Sequence, residues 1–405
     1  MKKQFLAVVF IFASCVSVLA AGDPPVIDES NYLNPLVTGV PSLSIAPDAV
    51  AGGMGDIGVA TLPDIHSQHW NASKYPFANS SAGFAISYTP WLRRLGVSDI
   101  DLAYLSGYYN ISKIAGTVSA SLRFFSLGEI LLRESAEAIP IPVNPYELAF
   151  DVAYSRILAE NFSMGVAFRF ICSDLSARND PDYYPGYSFA SDINLYYHLP
   201  IEIKTGESLL GIGFNLSNLG TKISYDKNNT SNFLPTNMRF GLSYLVPFDK
   251  FNRLAINADI NKLLIPSRKS KFTEGFNPDD PSTWTMSEKQ YSAIGVMKGL
   301  GYSFCDAPGG FKEEMQEIMW ALGLEYAYNE QFFGRAGYFN ESQNKGNRKY
   351  FTFGAGFRLS AFKLDVGYVV SLAQNNPLDQ TLRFTLSFDV DGIKALADRG
   401  KDKDK

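Results

Sequence analysis

Few residues in this chain are of a type and spacing that could do chemistry. Pro47 to Thr61 reads PDAVAGGMGDIGVAT, with glycines at Gly52, Gly53, Gly55 and Gly58. A glycine-rich run can cradle phosphate with backbone amides, but phosphate loops carry GxxxxGK[ST] spacing, and this run has none. Asp64, His66 and His69 follow closely. Imidazole and carboxylate are metal donors, yet a closed site takes about four, and no further ligand is in view. A barrel hydrolase would need a His and a Ser adjacent on its outer wall, oriented by an acid. The third histidine, His198, stands far off near an expected strand end. Cys172 and Cys305 can pair in an exported compartment or stay as free thiols, and two thiols make no metal site. The expectation is a protein without catalytic centre, metal or cofactor. The glycines then serve close backbone packing or positive φ, with Met54, Ile57 and Val59 as apolar contacts between them.

The elements around these residues are strands. Thr381 to Phe388 alternates without a fault: Leu382, Phe384, Leu386 and Phe388 on one side, Thr381, Arg383, Thr385 and Ser387 on the other. Strict period-two alternation makes a sheet with one oily and one wet face. About fourteen such segments follow an export signal, and no helical layer is evident to cover the oily side. The economical solution is an all-β, membrane-spanning antiparallel barrel, apolar toward lipid and polar toward its lumen. Its 405 residues have a mean hydropathy of −0.06, which excludes a multi-helix membrane protein. No run of 18 apolar residues occurs after the N-terminus, so a spanning helix is not expected. Aromatics make up 14 %, which suits strands and interfacial girdles.

Residues 1–21 read as a signal peptide: Lys2 and Lys3, an apolar core from Phe5 to Leu19, and small residues at Val18-Leu19-Ala20. Phe12-Ala13-Ser14-Cys15 faintly resembles a lipoprotein box, but Phe12 is wrong for it and the apolar run continues past Cys15. Removing Lys2 and Lys3 takes the formal charge from −5 to −7, the wrong sign for a nucleic-acid partner. Residues 22–82 are rich in Gly, Pro and small residues, and the barrel occupies 83–390. Strands are expected near 83–90, 99–110, 113–126, 145–157, 160–173, 186–200, 207–218, 236–247, 251–264, 316–329, 331–341, 347–359, 361–373 and 379–390. Tight connections at Ile111-Ser112, Ala159-Glu160, Asp249-Lys250, Asn329-Glu330 and Ser360 alternate with longer ones near 127–144, 174–185, 219–235 and 265–315. That asymmetry is the periplasmic-turn, extracellular-loop pattern of outer-membrane barrels. The wet face includes Asp101, Arg123, Asp151, Arg169, Asp192, Asn215, Arg239, Asp259, Glu325, Arg335, Arg358, Asp365 and Arg383. Both signs occur, which reads as a neutralised lumen rather than an ion-selective path. Residues 391–405 read as a charged, disordered periplasmic tail.

Four stretches carry a family resemblance: PDAVAGGMGDIGVAT at 47–61, SQHWNASK at 67–74, SYTPWLRRL at 87–95 and SDIDLAYLSGYYN at 98–110. Together they closely resemble the PorV family of outer-membrane shuttle proteins of the type IX secretion system. That family belongs to the FadL-like group of fourteen-stranded barrels with an N-terminal hatch. One departure is Asn71-Ala72-Ser73, where members tend to have Asn-Pro-Ala. The resemblance implies a hatch segment carrying Gly52, Gly53, Met54, Gly55, Asp56, Gly58, Trp70 and Asn71. It implies no enzymatic activity, and partners that are the C-terminal signal domains of cargo, the translocon, and an attachment complex with a PorU-type sortase, all at the outer-membrane lipid. On that reading the long loops bind. Loop 265–315 offers Phe272, Phe276, Trp284, Met286, Tyr291, Met297, Tyr302 and Phe304, and a second cluster is Tyr183, Tyr184 and Tyr187. Trp and Tyr are favoured interface anchors. The alternative implied by the FadL-like group is transport of small hydrophobic molecules through an apolar pocket under the hatch.

Overall fold

The computed structural model describes residues 33–403 apart from 94–95, 98, 113, 134–138, 176–181, 228–229 and 373–377. The expected signal peptide lies outside the described residues. Fourteen strands build the wall: β1 Ala82–Pro90, β2 Ile100–Ser112, β3 Gly116–Leu127, β4 Tyr146–Ala159, β5 Phe162–Asp174, β6 Gly186–Ile203 and β7 Gly206–Gly220. The second half is β8 Asn237–Pro247, β9 Asn252–Leu263, β10 Ile318–Tyr328, β11 Phe332–Asn340, β12 Lys349–Leu359, β13 Phe362–Ser371 and β14 Leu382–Asp389. Each pairs antiparallel with its sequence neighbours, and β1 closes on β14 from Gly83↔Asp389 to Tyr88↔Phe384. Closure leaves no sheet edge, so every ladder group has a partner within the wall.

Side-chain parity sets inside from outside. On β14, Leu382, Phe384 and Leu386 are exposed while Arg383, Thr385 and Ser387 are buried. The same holds around the wall, with Ile86, Leu105, Phe150, Phe168, Leu242, Ile256, Leu324 and Phe353 pointing outward. A continuous apolar belt this large would be an association hazard in water, and it is the surface that lipid requires. Aromatic pairs flank the belt. Phe84–Phe388 and Phe332–Phe357 sit at one end, with centroids 4.6 and 5.2 Å apart, and Trp320–Tyr338 and Tyr338–Phe351 at the other, at 5.5 and 5.0 Å. Among the described residues no helix is long and apolar enough to cross a membrane.

Connections alternate as the sequence predicts. At one end are tight turns such as 329–331, where Asn329 and Glu330 both take positive φ, the twist that a two-residue hairpin needs. The other end carries the long loops, of which 264–317 is the largest. Two expectations are corrected. Asp101 is not in the lumen: it lies on the outward side at the long-loop rim, bonded to Tyr88 at 2.7 Å and Arg93 at 3.1 Å. Above the lipid belt an outward carboxylate costs nothing, so parity loses its meaning there. The tail, expected to be disordered, is helical over Val390–Lys403. Asp389 caps its start by accepting from the backbone amides of Asp391 and Gly392 at 3.0 and 3.2 Å. Asp391 in turn accepts from the amide and hydroxyl of Ser81, both at 2.6 Å, tying the helix to the beginning of β1.

Candidate functional site

The first candidate region is the glycine-rich segment, which fills the lumen. Its two short helices are α1 (Ala49–Gly52) and α2 (Ser67–Trp70). Asp48 starts α1 by accepting from the Ala51 amide at 2.8 Å, and its second oxygen accepts from the Trp70 indole at 2.8 Å. Gly58 lies against the Trp70 ring so closely that a methyl group would overlap it. Gly55 takes φ +79°, and facing it on β11 Gly337 leaves room for the Met54–Gly55 backbone to touch the wall. Gly52 and Gly53 abut Arg383 and Gly354 in the same way.

Polar bonds complete the seat. Asp56 accepts from Arg383 at 2.6 Å and from the Tyr350 hydroxyl at 2.7 Å. Asp259 accepts from the amides of Gly58 and Val59 at 3.0 and 3.2 Å. Asn71 donates to the carbonyls of Val59 and Leu195, both at 2.9 Å, and accepts from the Ser73 amide at 3.1 Å. The Ser73 hydroxyl also donates to Asn71, a bond that the alanine expected from the family pattern cannot make. Met54 is buried beside Asn257. The sequence motif thus gathers in one place. One member escaped notice: Lys74, fully buried, donates to the Gly58 carbonyl at 2.7 Å and the Thr61 hydroxyl at 2.9 Å. A lysine beside aromatic and small residues gave no sign of such a position.

The two segment histidines do not converge on a metal. His69 meets Arg123 at 3.0 Å, whereas His66 Nε2 meets the Ser387 hydroxyl at 3.2 Å with its Nδ1 lacking a partner. His198 stacks on Phe77 at 4.8 Å. The wall charges pair with each other. Arg169 forks onto Asp151 at 2.8 and 2.6 Å and reaches Asp192 at 3.0 Å; Arg335 bridges Glu325 at 2.6 Å and Asp365 at 2.7 Å. Such pairs satisfy buried charge and leave the lumen without one dominant sign.

The second region is a cap formed by 264–317 over the long-loop end. It contains α3 (Glu288–Ala293), α4 (Val296–Tyr302) and α5 (Gly310–Gln316). Here the structure corrects the expected contact residues. Trp284, Met286 and Tyr291 are 1, 3 and 0 % exposed, and Met286 and Tyr291 join an apolar core with Phe233, Leu263, Ile265, Ile294 and the wall residues Met319, Phe339 and Tyr350. Trp284 donates to the Asn277 carbonyl at 2.7 Å, and Phe276 leans on its ring at 6.1 Å. Tyr291 sits edge-on to Phe233 at 5.4 Å under the Arg268 guanidinium. Lys222 ties this core down by donating to the carbonyls of Tyr291, Ser292 and Ile294 at 2.9–3.3 Å. Removing large apolar side chains from water is worth more than displaying them, so the loop folds on itself. Phe304 is half exposed, together with Met297, Phe311 and Met315, which form the outward apolar surface of the cap.

In the tyrosine cluster, Tyr183 bonds Asp174 at 2.8 Å, Tyr184 lies exposed near Ser224, and Tyr187 faces outward from β6 against Phe170, within the aromatic girdle rather than in a loop. Cys172 and Cys305 are both free thiols. Beside residues 35–46 lies a cavity of about 540 Å³ lined in part by Leu36, Trp91, Phe125, Leu263, Met319 and Leu378, with Asp56, Arg348 and Arg383 at its polar side. Deep under the cap, burial and the neighbouring Glu317 raise the Asp306 carboxyl to about 8.

A closed fourteen-stranded antiparallel wall, apolar outside, with its lumen occupied by its own N-terminal segment, defines a membrane-spanning β-barrel. The chain belongs to the PorV family: the family described as "Type IX secretion system protein PorV" matches residues 28–270. It is accordingly an outer-membrane component of the type IX secretion system. Comparison with curated proteins finds no match. Among solved structures it is similar to the Pseudomonas putida toluene transporter TodX, at 11 % identity over 88 % of this chain and 98 % of that one, TM-score 0.46. The Ralstonia pickettii toluene transporter TbuX aligns at 10 % identity over 84 % and 97 %, TM-score 0.43. A Pseudomonas aeruginosa FadL homologue aligns at 11 % identity over 88 % and 99 %, TM-score 0.42.

Proposed function

We propose that this protein is a cargo shuttle: it takes secreted proteins by their C-terminal signal domain at the translocon and presents them to a sortase-containing attachment complex. In this reading the cap and the other long loops face the outside of the cell, and the short turns, both ends of the wall and the C-terminal helix face the periplasm. The observation that carries it is the pairing of a filled lumen with an ordered cap. The lumen segment is bonded to the wall on many sides, so a folded cargo has no route through this barrel. The cap instead exposes Met297, Phe304, Phe311 and Met315, apolar groups of the kind that partner proteins use. Handing cargo from one partner to the next requires moderate affinity with fast release.

The protein acts by binding and not by catalysis. Its nearest approach to a catalytic pair is Ser387 with His66. The imidazole there lacks an acid on Nδ1, and the pair is buried on the lumen side of β14. Affinity capture of the tagged protein, gently solubilised from its native outer membrane, tests the shuttle. Recovery of secreted proteins sharing a C-terminal signal domain, with sortase or translocon subunits, supports it; recovery of the barrel alone overturns it.

The cavity favours a second reading, carriage of a small hydrophobic molecule, because apolar residues such as Leu36, Ile45, Trp91, Phe125, Met319 and Leu378 line much of it. Mass spectrometry of the purified barrel distinguishes the two: a stoichiometric apolar ligand without protein partners would select this second reading.

A further inference from the structure

Four carboxylates and two ammonium groups lie together beneath the cap. Glu313 and Glu314 come from α5, Glu317 from just beyond it, and Asp306 from the turn before it; Lys262 is at the end of β9 and Lys345 in loop 341–348. All six are at most 8 % exposed. Lys262 reaches Glu314 at 3.2 Å and Glu317 at 2.5 Å, while Lys345 reaches Glu313 at 2.6 Å and Glu317 at 2.9 Å. Four carboxylates against two ammonium groups leave an excess of acid, and because uncompensated buried charge costs several kcal/mol per ion, a proton or a cation must offset it.

The remaining bonds show where a cation would sit. An ionised carboxylate offers about four lone-pair positions. Asp306 uses one oxygen to accept from the Ser267 amide at 2.6 Å, and its other oxygen is buried without a partner. Glu314 accepts from the Ala307 amide at 2.9 Å and from Lys262. Glu317 accepts from both lysines and from the Ser267 hydroxyl at 3.2 Å. Each of the three therefore keeps at least one lone-pair position to spare. One oxygen from each lies within 4.8 Å of the others. Two oxygens on opposite sides of a calcium ion, each about 2.3–2.6 Å from it, are about 4.6–5.2 Å apart, so one ion can touch all three. Magnesium gives up its waters reluctantly and usually takes only one or two carboxylates, so a set of three favours calcium. The absence of nitrogen or sulfur donors among these three residues selects a hard cation over zinc.

We propose that Asp306, Glu314 and Glu317 form a calcium site, with water completing the shell, that pins the turn at Asp306 to the end of α5 where the cap runs into β10. One divalent ion offsets the two excess charges. Ser267, Lys262 and Lys345 already surround the same carboxylates. The site stands on its own geometry, whether or not the cap receives cargo.

The full-length barrel, purified in detergent and stripped with chelator, is titrated calorimetrically with calcium chloride and, in parallel, magnesium chloride. Limited proteolysis of the cap is followed with and without calcium. The expected result is one calcium bound more tightly than magnesium, with slower cleavage within 264–317. In Asp306→Asn and Glu314→Gln the affinity falls by roughly tenfold or more, as for loss of a metal ligand or its support. Gel migration of the unheated protein confirms that each variant keeps its closed barrel. If one variant loses the barrel, the other carries the test. No calcium heat, magnesium binding equally well, calcium-independent cleavage of the cap, or calcium affinity unchanged in a folded variant would each overturn the proposal.

Discussion

The lumen segment and the cap are both non-strand regions resting on the same wall, yet they are held by different means: one by backbone contact and polar bonds, the other by apolar packing and ion pairs. The segment has little core of its own. It borrows the wall, through Asp56 on Arg383, Asp259 on the Gly58 and Val59 amides, and glycine on glycine at Gly53 and Gly354. The cap sends Met286, Tyr291 and Ile294 into an apolar cluster completed by wall residues such as Met319, Phe339 and Tyr350, and adds ion pairs and Lys222 at the rim. A region that borrows its contacts rises or falls with the barrel. A region seated on one end of the barrel by a shared apolar cluster and rim ion pairs can loosen while the strands below it stay paired.

That contrast breaks most sharply at buried side chains. Trp284→Ala is expected to cost the cap about 3–5 kcal/mol, as for other buried large-to-alanine changes. Proteolysis within 264–317 should accelerate while the unheated barrel still migrates as folded; loss of the barrel would contradict such local loosening. Asp56→Ala strands Arg383, which is 1 % exposed on its side chain, and removal of one partner of a buried pair costs about 3–5 kcal/mol. Part of this is relieved by the half-wet position of Asp56, so the observed loss should be smaller. Labelling of a cysteine placed at Val59 reads the release of the segment, and unchanged protection would refute the borrowed-contact picture. Gly337→Val forces a side chain into the Met54 backbone, an overpacking cost of about 1–3 kcal/mol, with the same labelling readout.

The cap alone should respond to pH. Because Asp306 is raised to about 8 from an ordinary 3.8, its contribution in chelator is fully present below about pH 4 and is lost as pH rises through about 8. Cap cleavage by a pH-tolerant protease should therefore be faster at pH 9 than at pH 6 in wild type. Asp306→Asn should flatten the profile, and a parallel rise in the variant would assign the effect elsewhere. The smallest structural effect belongs to Phe304→Ser, within about 0.5 kcal/mol as for exposed positions, yet it is expected to lower recovery of cargo in affinity capture.

How far the sequence could be read follows from these forces. Wall strands were legible because lipid outside and polar groups inside impose a period of two; β14 shows both faces intact. Strand ends were not, since the rule lapses beyond the belt, which is why Asp101 was assigned to the wrong side. The lumen motif was legible as close packing, because only glycine fits where Gly58 meets Trp70. In the cap, Trp284 and Phe304 looked alike as aromatics in a long loop. Nothing periodic distinguishes 1 % from 50 % exposure when the fold is held by long-range contacts. The helix at Val390–Lys403 escaped for a related reason: its start depends on Asp389 in the wall and on Ser81, remote in sequence.

The filled lumen has a consequence for the cell that carries this protein. An open pore of this width in the outer membrane would admit small solutes without selection. A barrel closed from within by Asp56, Asp259 and Asn71 is expected to be electrically silent in a planar bilayer. Its abundance can then follow secretory demand at little expense to the permeability barrier of the envelope.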